Sequence, residues 1–438
     1  MSTVPHASVP RLPVRTIRVE VIEGVDRGAH ASGDRLAIGT AEGNDLRLTD
    51  ARVSRFHVEL GAAGASVRVR DLGSTNGTRV GAVTIERGEI ALGASNLGAS
   101  LEIGATKIRI TDAELTSVET AEEPRFGPLL GRSAVMRRLM ARLDKVAASE
   151  TSVLLVGESG TGKELAAQAI HERSARAKEP FVVVDCGAIA PTLVASELFG
   201  HERGSFTGAE RTSHGAFERA ARGTLFIDEV GELPLALQTT LLGVLERKRY
   251  RRVGGDRDLV SEARVIAATN RDLRAEVNAG RFRLDLYYRL AVVTLDLPPL
   301  RDRSEDLRLL VEHFLRELGS SAEVEDVFDA DAIAELERHA FPGNVRELKN
   351  LVEATLTLGE APSLASRPST SPSLPDDVTD ARLDLPFRDA KREIVDAFER
   401  RYLTRWLDRT GGNVAKVARE SGLDRSYVTD LVRKHGLR

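Results

Sequence analysis

Residues 152–164 read SVLLVGESGTGKE, and the whole central part of the chain can be read outward from them. Val153 to Val156 make a short apolar run with strand character, and ELAAQAIHERS behind Lys163 has helical spacing. Between them, Gly157, Glu158, Ser159, Gly160, Thr161, Gly162 and Lys163 complete the strand–loop–helix signature of a phosphate cradle. The glycines let consecutive backbone N–H groups turn inward around phosphate oxygens, and Lys163 can reach the β- and γ-oxygens. The helix adds its positive N-terminal end. Position 164 is Glu, where the general signature carries Ser or Thr to touch Mg²⁺, so a chance glycine-rich loop has to be weighed against the cradle.

A second strand, GTLFIDEV at 223–230, argues for the cradle. It ends in Asp228 and Glu229, two carboxylates at the C-terminal edge where open α/β sheets bind their ligands. There Asp228 is the expected Mg²⁺ ligand, directly or through water, and Glu229 the residue that orients the attacking water. Two more apolar runs, PFVVVD and RVIAATN, alternate with helical stretches from Gly127 to about Gly359, the pattern of a parallel sheet wrapped by helices.

The flanking segments follow other periods. From Arg15 to about Thr111, short alternating runs such as TIRVEVI and SVRVRDL are separated by Gly, Asn and Asp turns, as in a small antiparallel sandwich. The acidic stretch TDAELTSVETAEEP then reads as a linker or a short connecting helix, and residues 360–384, rich in Pro and Ser, as a flexible tether. The expected architecture is therefore multidomain. It comprises an all-β sandwich at 15–112, a linker at 113–126, and an α/β P-loop ATPase at 127–359 with a helical lid from about 300. The tether at 360–384 and an all-α tail at 385–438 follow.

With 438 residues and 42% hydrophobic content the chain can bury more than one core. A net charge of −4 shows no global basicity, so a nucleic-acid surface has to be local. Cys186 is the sole cysteine, which excludes an intramolecular disulfide and a cysteine-rich zinc site. No uncharged apolar run approaches the roughly 18 residues of a membrane span. A cytoplasmic protein without a membrane partner is expected.

The tail supplies the local basic surface. GGNVAKVARESGLDRSYVTDLVRKHGLR, residues 411–438, places Ala415, Val417 and Ala418 on one helix, Ser421-Gly422 at a tight corner, and a second helix from about Arg425 to His435. Six basic residues (416, 419, 425, 433, 434, 438) face three acids (420, 424, 430), a local excess of three that suits phosphate contact.

The stretches GESGTGKE, SELFGHERGSFTGA, GTLFIDEV, RVIAATN, FRLDLYYRL, LPPLRDRSEDL and FPGNVRELKN occur in the order found in the AAA+ domain of sigma-54-dependent transcriptional activators, which the chain's centre closely resembles. The resemblance makes Glu164 the family's usual residue after the P-loop lysine. It implies that Thr269 and Asn270 form sensor I, that Arg346 is sensor II in the lid, and that Arg283 and Arg289 include trans-acting arginine fingers. A guanidinium from a neighbouring subunit would stabilise charge spreading over the transferred phosphoryl group, so hydrolysis would require a homo-oligomer, from dimer to hexameric ring. Asp185 lies where many relatives carry Asn, the partner thought to switch the Walker-B glutamate; an ionised carboxylate could not donate to Glu229.

Taken alone, Gly204, Ser205, Phe206, Thr207, Gly208 and Ala209 could be a hairpin turn whose Phe folds back onto the protein. The resemblance aligns them with the family's GAFTGA loop, which implies that Phe206 contacts sigma-54 with the glycines as hinges. The tail resembles the Fis-type DNA-binding domain, with Arg425, Ser426, Tyr427, Thr429, Arg433 and Lys434 as DNA contacts. LAIGTAEGNDLRLTDARVSRFHVEL and VRDLGSTNGTRV resemble the forkhead-associated (FHA) domain, whose relatives bind phosphothreonine peptides. That implies Ser54 and Arg55, with Thr75 and Asn76, on phosphate and peptide backbone, and His57 as a brace. The family's usual Arg is replaced by Thr40, which removes a charge-assisted contact that Arg52 and Arg55 could partly replace. The expected function is ATP- and Mg²⁺-dependent remodelling of sigma-54 RNA polymerase holoenzyme from upstream double-stranded DNA, with possible phosphothreonine control. The alternative is a DNA-binding regulator that uses nucleotide as a structural ligand.

Overall fold

The computed structural model describes residues 10–92 and 98–359 and, in the tail, 395–396, 399–400, 402–407, 410, 413–421 and 425–436. Two compact units result, residues 1–365 and 366–438. The Pro/Ser-rich stretch 360–384 lies outside the described residues.

The first unit begins with β1 (Arg11–Val14), β2 (Ile17–Glu23), β3 (His30–Gly33), β4 (Arg35–Gly39), β5 (Leu46–Arg47), β6 (Val58–Ala63) and β7 (Ser66–Asp71). It continues with β8 (Thr78–Val80), β9 (Val83–Ile85), β10 (Arg87–Ala91), β11 (Ala99–Ile103), β12 (Thr106–Asp112) and β13 (Thr116–Glu119). Two sheets, ordered β10-β7-β6-β4-β5 and β3-β2-β12-β11-β8-β9, face each other. Strict alternation explains the packing: Ile17, Val19 and Val21 of β2 point inward with Ile108 and Ile110 of β12, and meet Leu36, Ile38, Val58, Leu60, Val67 and Val69 from the other sheet.

The acidic stretch expected as a linker or a short connecting helix holds no helix and carries a strand. Thr116–Glu119 forms β13, antiparallel to β1 with Leu12 opposite Val118, so the β region starts four residues before Arg15. Two ribbon strands, β14 (Arg125–Phe126) and β15 (Leu129–Leu130), lead into the ATPase core.

That core is a five-stranded parallel sheet ordered β17-β18-β21-β16-β22, built from β16 (Val153–Val156), β17 (Phe181–Asp185), β18 (Thr224–Asp228), β21 (Arg264–Thr269) and β22 (Val293–Asp296). A small ribbon, β19 (Arg249–Tyr250) with β20 (Leu259–Val260), precedes β21. The helices are α1 (Ala134–Ala147), α2 (Lys163–Glu172), α3 (Pro191–Phe199), α4 (Ala216–Ala220), α5 (Leu235–Arg247), α6 (Leu273–Asn278) and α7 (Leu284–Leu290). They cover both faces because the strands carry continuous apolar runs: all six residues of β21 are buried, Val265 to Ala268 among them, as in a parallel sheet. α8 (Leu307–Glu317), α9 (Val324–Val327), α10 (Ala330–Arg338) and α11 (Asn344–Leu358) form a separate helical cluster around Phe314, Phe328, Phe341 and Leu348.

The sandwich is not a free appendage. Ala41, Phe56 and Leu72 from its loops share one buried cluster with Ile227, Leu273 and Leu286 of the ATPase.

In the second unit, helical residues 402–407 precede α12 (Val414–Ser421) and α13 (Arg425–Lys434), around Leu403, Val417, Val428 and Leu431. The corner at Gly422 lies outside the described residues. Among the described residues, no helix is long and apolar enough to cross a membrane.

Candidate functional site

The loop between β16 and α2 turns because Gly160 (φ +78°) and Gly162 (φ +103°) take left-handed backbone, which costs glycine little. At Gly160 a side chain is also excluded, since a Cβ would stand 2.3 Å from the Gly343 carbonyl. Lys163, 6% exposed, donates to the carbonyls of Gly157 (2.9 Å) and Glu158 (3.2 Å) and lies 3.9 Å from the Glu229 carboxylate. Thr161 Oγ1 donates to the Glu158 carbonyl at 2.8 Å. Glu164 is exposed in the first turn of α2, where an acid complements the helix dipole.

The lid reaches this loop from above. Arg346 Nη1 donates to Ser159 Oγ at 3.1 Å, which places the residue expected as sensor II directly over the cradle. Three further groups escaped the sequence reading although its motifs contain them. Asn344, at φ +52°, donates to the Ser159 carbonyl (3.0 Å) and to the Glu158 carboxylate (3.2 Å), and accepts from the Leu300 N–H (2.8 Å). Arg301 Nη1 donates to the same carboxylate at 2.8 Å and, against some burial, holds it below its ordinary range. Arg303 is 3% exposed and donates to the Thr161 carbonyl (3.2 Å); burial drops its pKa to about 10 despite Asp306 nearby. Asp306 itself accepts from the N–H groups of Arg132 (2.6 Å) and Ser133 (2.7 Å) and from Ser133 Oγ (2.8 Å), stapling the segment before α1 to the lid.

β18 delivers the acidic pair. Asp228 accepts from the Glu229 N–H at 2.9 Å, and Glu229 sits at φ +48°, a rare conformation for a non-glycine residue and one found where function imposes strain. Its carboxylate accepts from the N–H of Asn270 at 3.1 Å, next to buried Thr269 at the end of β21. Burial raises the Glu229 pKa, Asp228 and Asp185 add to the rise, and the Asn270 N–H and Lys163 oppose it. Asp185 caps its own turn, accepting from the N–H groups of Gly187 (2.8 Å) and Ala188 (3.2 Å). The hard oxygen donors of Asp228 and Glu229 at this edge fit Mg²⁺, and burial disfavours the bare charge of Glu229.

The other expected residues are dispersed. Arg283 caps α7 exposed and pairs with Asp285 at 2.7 Å, while Arg289, also exposed, donates to the Leu245 carbonyl at 3.0 Å. Neither is among the partners of the P-loop or the acidic pair within this one chain. Phe206 is 38% exposed between Gly204 (φ +78°) and Gly208 (φ +100°), its ring edge-on to His201 at 4.9 Å. Ser205 and Ala209 are the loop's inward anchors: a Cβ on Gly254 would meet Ser205 at 2.6 Å, and Ala209 is 6% exposed.

At the sandwich edge, Ser54 Oγ accepts from the Thr75 N–H at 3.0 Å, and Asn76 donates to the Arg52 carbonyl at 2.7 Å. Thr40 adjoins them through its N–H to the Ser54 carbonyl, 3.1 Å. Arg52 and Arg55 are exposed. His57 is fully buried, accepts from the Ser54 N–H (3.1 Å) and faces the Gly77 carbonyl (3.2 Å); burial lowers its pKa, so it braces the two loops as a neutral ring.

In the tail, Arg425 opens α13, and Ser426, Tyr427, Thr429 and Arg433 are exposed along it. Lys434 is committed elsewhere: it pairs with Asp396 (2.6 Å) and Glu399 (2.8 Å), which also engages His435 (2.8 Å). That knot fastens the end of α13 to Asp396 and Glu399, which precede both α12 and residues 402–407.

A P-loop after β16, an acid pair at the same edge of the sheet one strand beyond β21, and a helical lid against the loop define an AAA+ ATPase. Residues 129–296 match the family described as the Sigma-54 interaction domain, 301–369 the AAA+ ATPase lid domain, and 394–429 the Fis family of bacterial regulatory proteins. Residues 20–114 match the cytoplasmic domain of the inner membrane component of T3SS. Regulatory protein AtoC of Escherichia coli is 42% identical over 318 residues, 71% of this chain and 68% of its own length. Response regulator protein PilR of Pseudomonas aeruginosa is 40% identical over 343 residues, 78% and 76% of the two chains. Among solved structures, NtrX from Brucella abortus in complex with ATP is 36% identical with a TM-score of 0.50, covering 72% of this chain and 71% of that one. The chain belongs to the sigma-54-dependent transcriptional activators: it is an ATPase that carries a helix–turn–helix DNA-binding domain.

Proposed function

We propose that this activator is a cytoplasmic protein that binds upstream DNA, assembles into a ring of up to six subunits, and uses Mg²⁺-dependent ATP hydrolysis to remodel sigma-54 RNA polymerase holoenzyme at promoters. The P-loop from Gly157 to Glu164 holds the triphosphate, with Asn270 and Arg346 closing over it. Asp228 holds the metal, which supplies charge neutralisation at the phosphates when bound. Glu229 orients the attacking water, and its raised pKa suits a group that must meet a proton. Arg283 and Arg289 act in the next subunit's site, a reading supported by their exposure away from their own P-loop. Arg425, Ser426, Tyr427, Thr429 and Arg433 face DNA. Lys434 was expected among them, and its ion pairs make it the weakest contact.

The observation that carries the proposal is Phe206, an aromatic ring held half in solvent between two left-handed glycines. It is a hinge-mounted anchor, the kind of group that concentrates binding energy. Open-complex formation by sigma-54 polymerase on a promoter with upstream sites tests this directly. Open complexes are expected with ATP and none without it; ATP-independent opening would overturn the reading. The sandwich reads a phosphothreonine protein through Ser54, Arg55, Thr75 and Asn76, a proposal supported by the clustering of a hydroxyl, an amide and two exposed arginines on adjoining loops.

A further inference from the structure

The loops that carry the proposed phosphate site do not end in solvent. Three segments, residues 39–44, 52–57 and 72–77, converge there, and α6 and α7 of the ATPase hold each of them. Asn278 at the end of α6 donates to the carbonyl of Phe56 (2.5 Å) and to that of Leu72 (2.8 Å), and the Phe56 N–H points back at its Oδ1 (3.4 Å). One side chain thus reads the backbone of two loops. On α7, Tyr287 meets the Phe56 ring edge-on at 5.3 Å, and the Tyr288 hydroxyl donates to the Glu42 carbonyl. Phe56 lies two residues from Ser54, and Leu72 three from Thr75. α7 starts directly after Arg283 and carries Arg289 in its last turn.

Beside these contacts much of the boundary is ionic. Glu59 pairs with Arg274 and Arg35, Arg35 with Asp296 (2.6 Å) and Arg70 with Asp272 (2.7 Å). A cavity of about 740 Å³ remains between the two halves, walled by such charges. This ionic part resembles a transient interface, beside the smaller apolar contact in which Phe56 and Leu72 join the ATPase cluster.

We infer that α6–α7 is an intramolecular ligand of the sandwich's recognition edge, so that an external phosphothreonine peptide and the helix bearing Arg283 and Arg289 compete for the same loops. The inference rests on the phosphothreonine reading. An extended peptide of six residues spans about 20 Å. A peptide anchored at Ser54 and Thr75 would run along loops whose flanks Tyr288 and Asn278 occupy. Peptide binding releases α7, and docking of α7 weakens the peptide, because the coupling is reciprocal.

The test uses the full chain, with a phosphothreonine hexapeptide and its unphosphorylated twin as probes. Asn278→Asp keeps the shape of the side chain but turns two donors into an acceptor facing two carbonyls; Tyr288→Phe removes one hydroxyl and is the milder variant. Both should bind the phosphopeptide more tightly than the wild type, Asn278→Asp by about fivefold to tenfold, because the competent state is no longer reduced by docking. Saturating phosphopeptide should also strip hydrogen-exchange protection from residues 273–290 of the wild type, and Ser54→Ala should abolish that effect. Equal phosphopeptide affinity in all proteins, or unchanged protection at 273–290 with peptide bound, overturns the competition and leaves the phosphothreonine reading standing. If no protein distinguishes the phosphorylated probe from its twin, both fail.

Discussion

At the P-loop, a lysine with 6% exposure, two left-handed glycines and a buried arginine behind Thr161 shape a cradle before any phosphate arrives. At the sandwich edge the proposed phosphate groups are exposed: Thr75, Asn76, Arg52 and Arg55 face solvent, and the one buried member, His57, is neutral. The first site spends its charge where water is scarce and each contact is strong. The second places its charge in water, where each is screened, and depends on loops whose positions the ATPase helps to set. The contrast separates a reaction site, which needs rigidity, from the proposed sensing site, which would need to respond.

The largest effect should come from the rigid site. Lys163→Ala removes the only side-chain cation that this loop itself supplies to the phosphates, and hydrolysis should fall at least a hundredfold, of the order of 3 kcal/mol. Arg289→Ala should fail as badly while still binding nucleotide. Mixed together, the two variants should regain measurable turnover, since one subunit supplies the loop and the other the finger. A coupled assay across mixing ratios decides; activity that never exceeds the sum of the parts removes the trans assignment.

Phe206→Ala should act on the partner and not on the nucleotide. The ring's contact with His201 is worth about 0.5–1.5 kcal/mol, so melting should shift by only a few degrees. Capture of sigma-54 in the presence of a transition-state analogue should weaken roughly thirtyfold, the usual scale of an anchor residue near 2 kcal/mol, while ATP hydrolysis persists. Parallel loss of melting temperature, hydrolysis and open complexes would instead mark a folded-back turn.

Much of the rigid site was legible because its logic is local. Glycines 157, 160 and 162, Lys163 and the Asp228-Glu229 pair sit within short windows bounded by a strand, and that context is what distinguishes a cradle from a chance loop. The lid's contribution was hidden. Arg303 looked like one charge among several in LRDRSEDL, and only the folded chain buries it against a carbonyl 142 residues away. The same holds for the sandwich contact: nothing near Asn278 or Phe56 announces a bond spanning 222 residues. β13 was missed for a different reason. Its composition is that of a solvated linker, and its pairing with β1 is a tertiary effect that four weakly patterned residues cannot advertise.

Arg303 turns that hidden contribution into a measurement. Arg303→Met keeps most of the apolar stem and removes the bond to the Thr161 carbonyl. An acceptor left unpaired in a buried site costs about 1–3 kcal/mol, so ATP affinity should drop around tenfold or more. Phosphopeptide binding should not change, because Arg303 touches the P-loop and α1, not the sandwich loops. A variant that weakened both ligands equally would show that the two sites share one scaffold after all.

The smallest effect, and the only gain, is expected at the sensing site. Thr40 stands where the FHA resemblance places an arginine, and its N–H bonds to the Ser54 carbonyl at 3.1 Å, so a longer side chain there starts beside the hydroxyl expected to touch phosphate. Thr40 is half-buried, which leaves room for a guanidinium to reach outward but screens it from part of the solvent. Thr40→Arg should therefore tighten phosphothreonine-peptide binding by about tenfold, near 1.4 kcal/mol, at the low end of what a charge-assisted hydrogen bond contributes. The gain should shrink as salt rises, because the loops are exposed and the Debye length falls to about 8 Å at physiological ionic strength. Calorimetric titration of both proteins with phosphorylated and unphosphorylated peptide, at two salt concentrations, reads all of this at once. An equal gain for both peptides would mean that the new guanidinium meets peptide backbone or an acidic side chain, and that the edge of the sandwich is a protein-binding surface indifferent to phosphate.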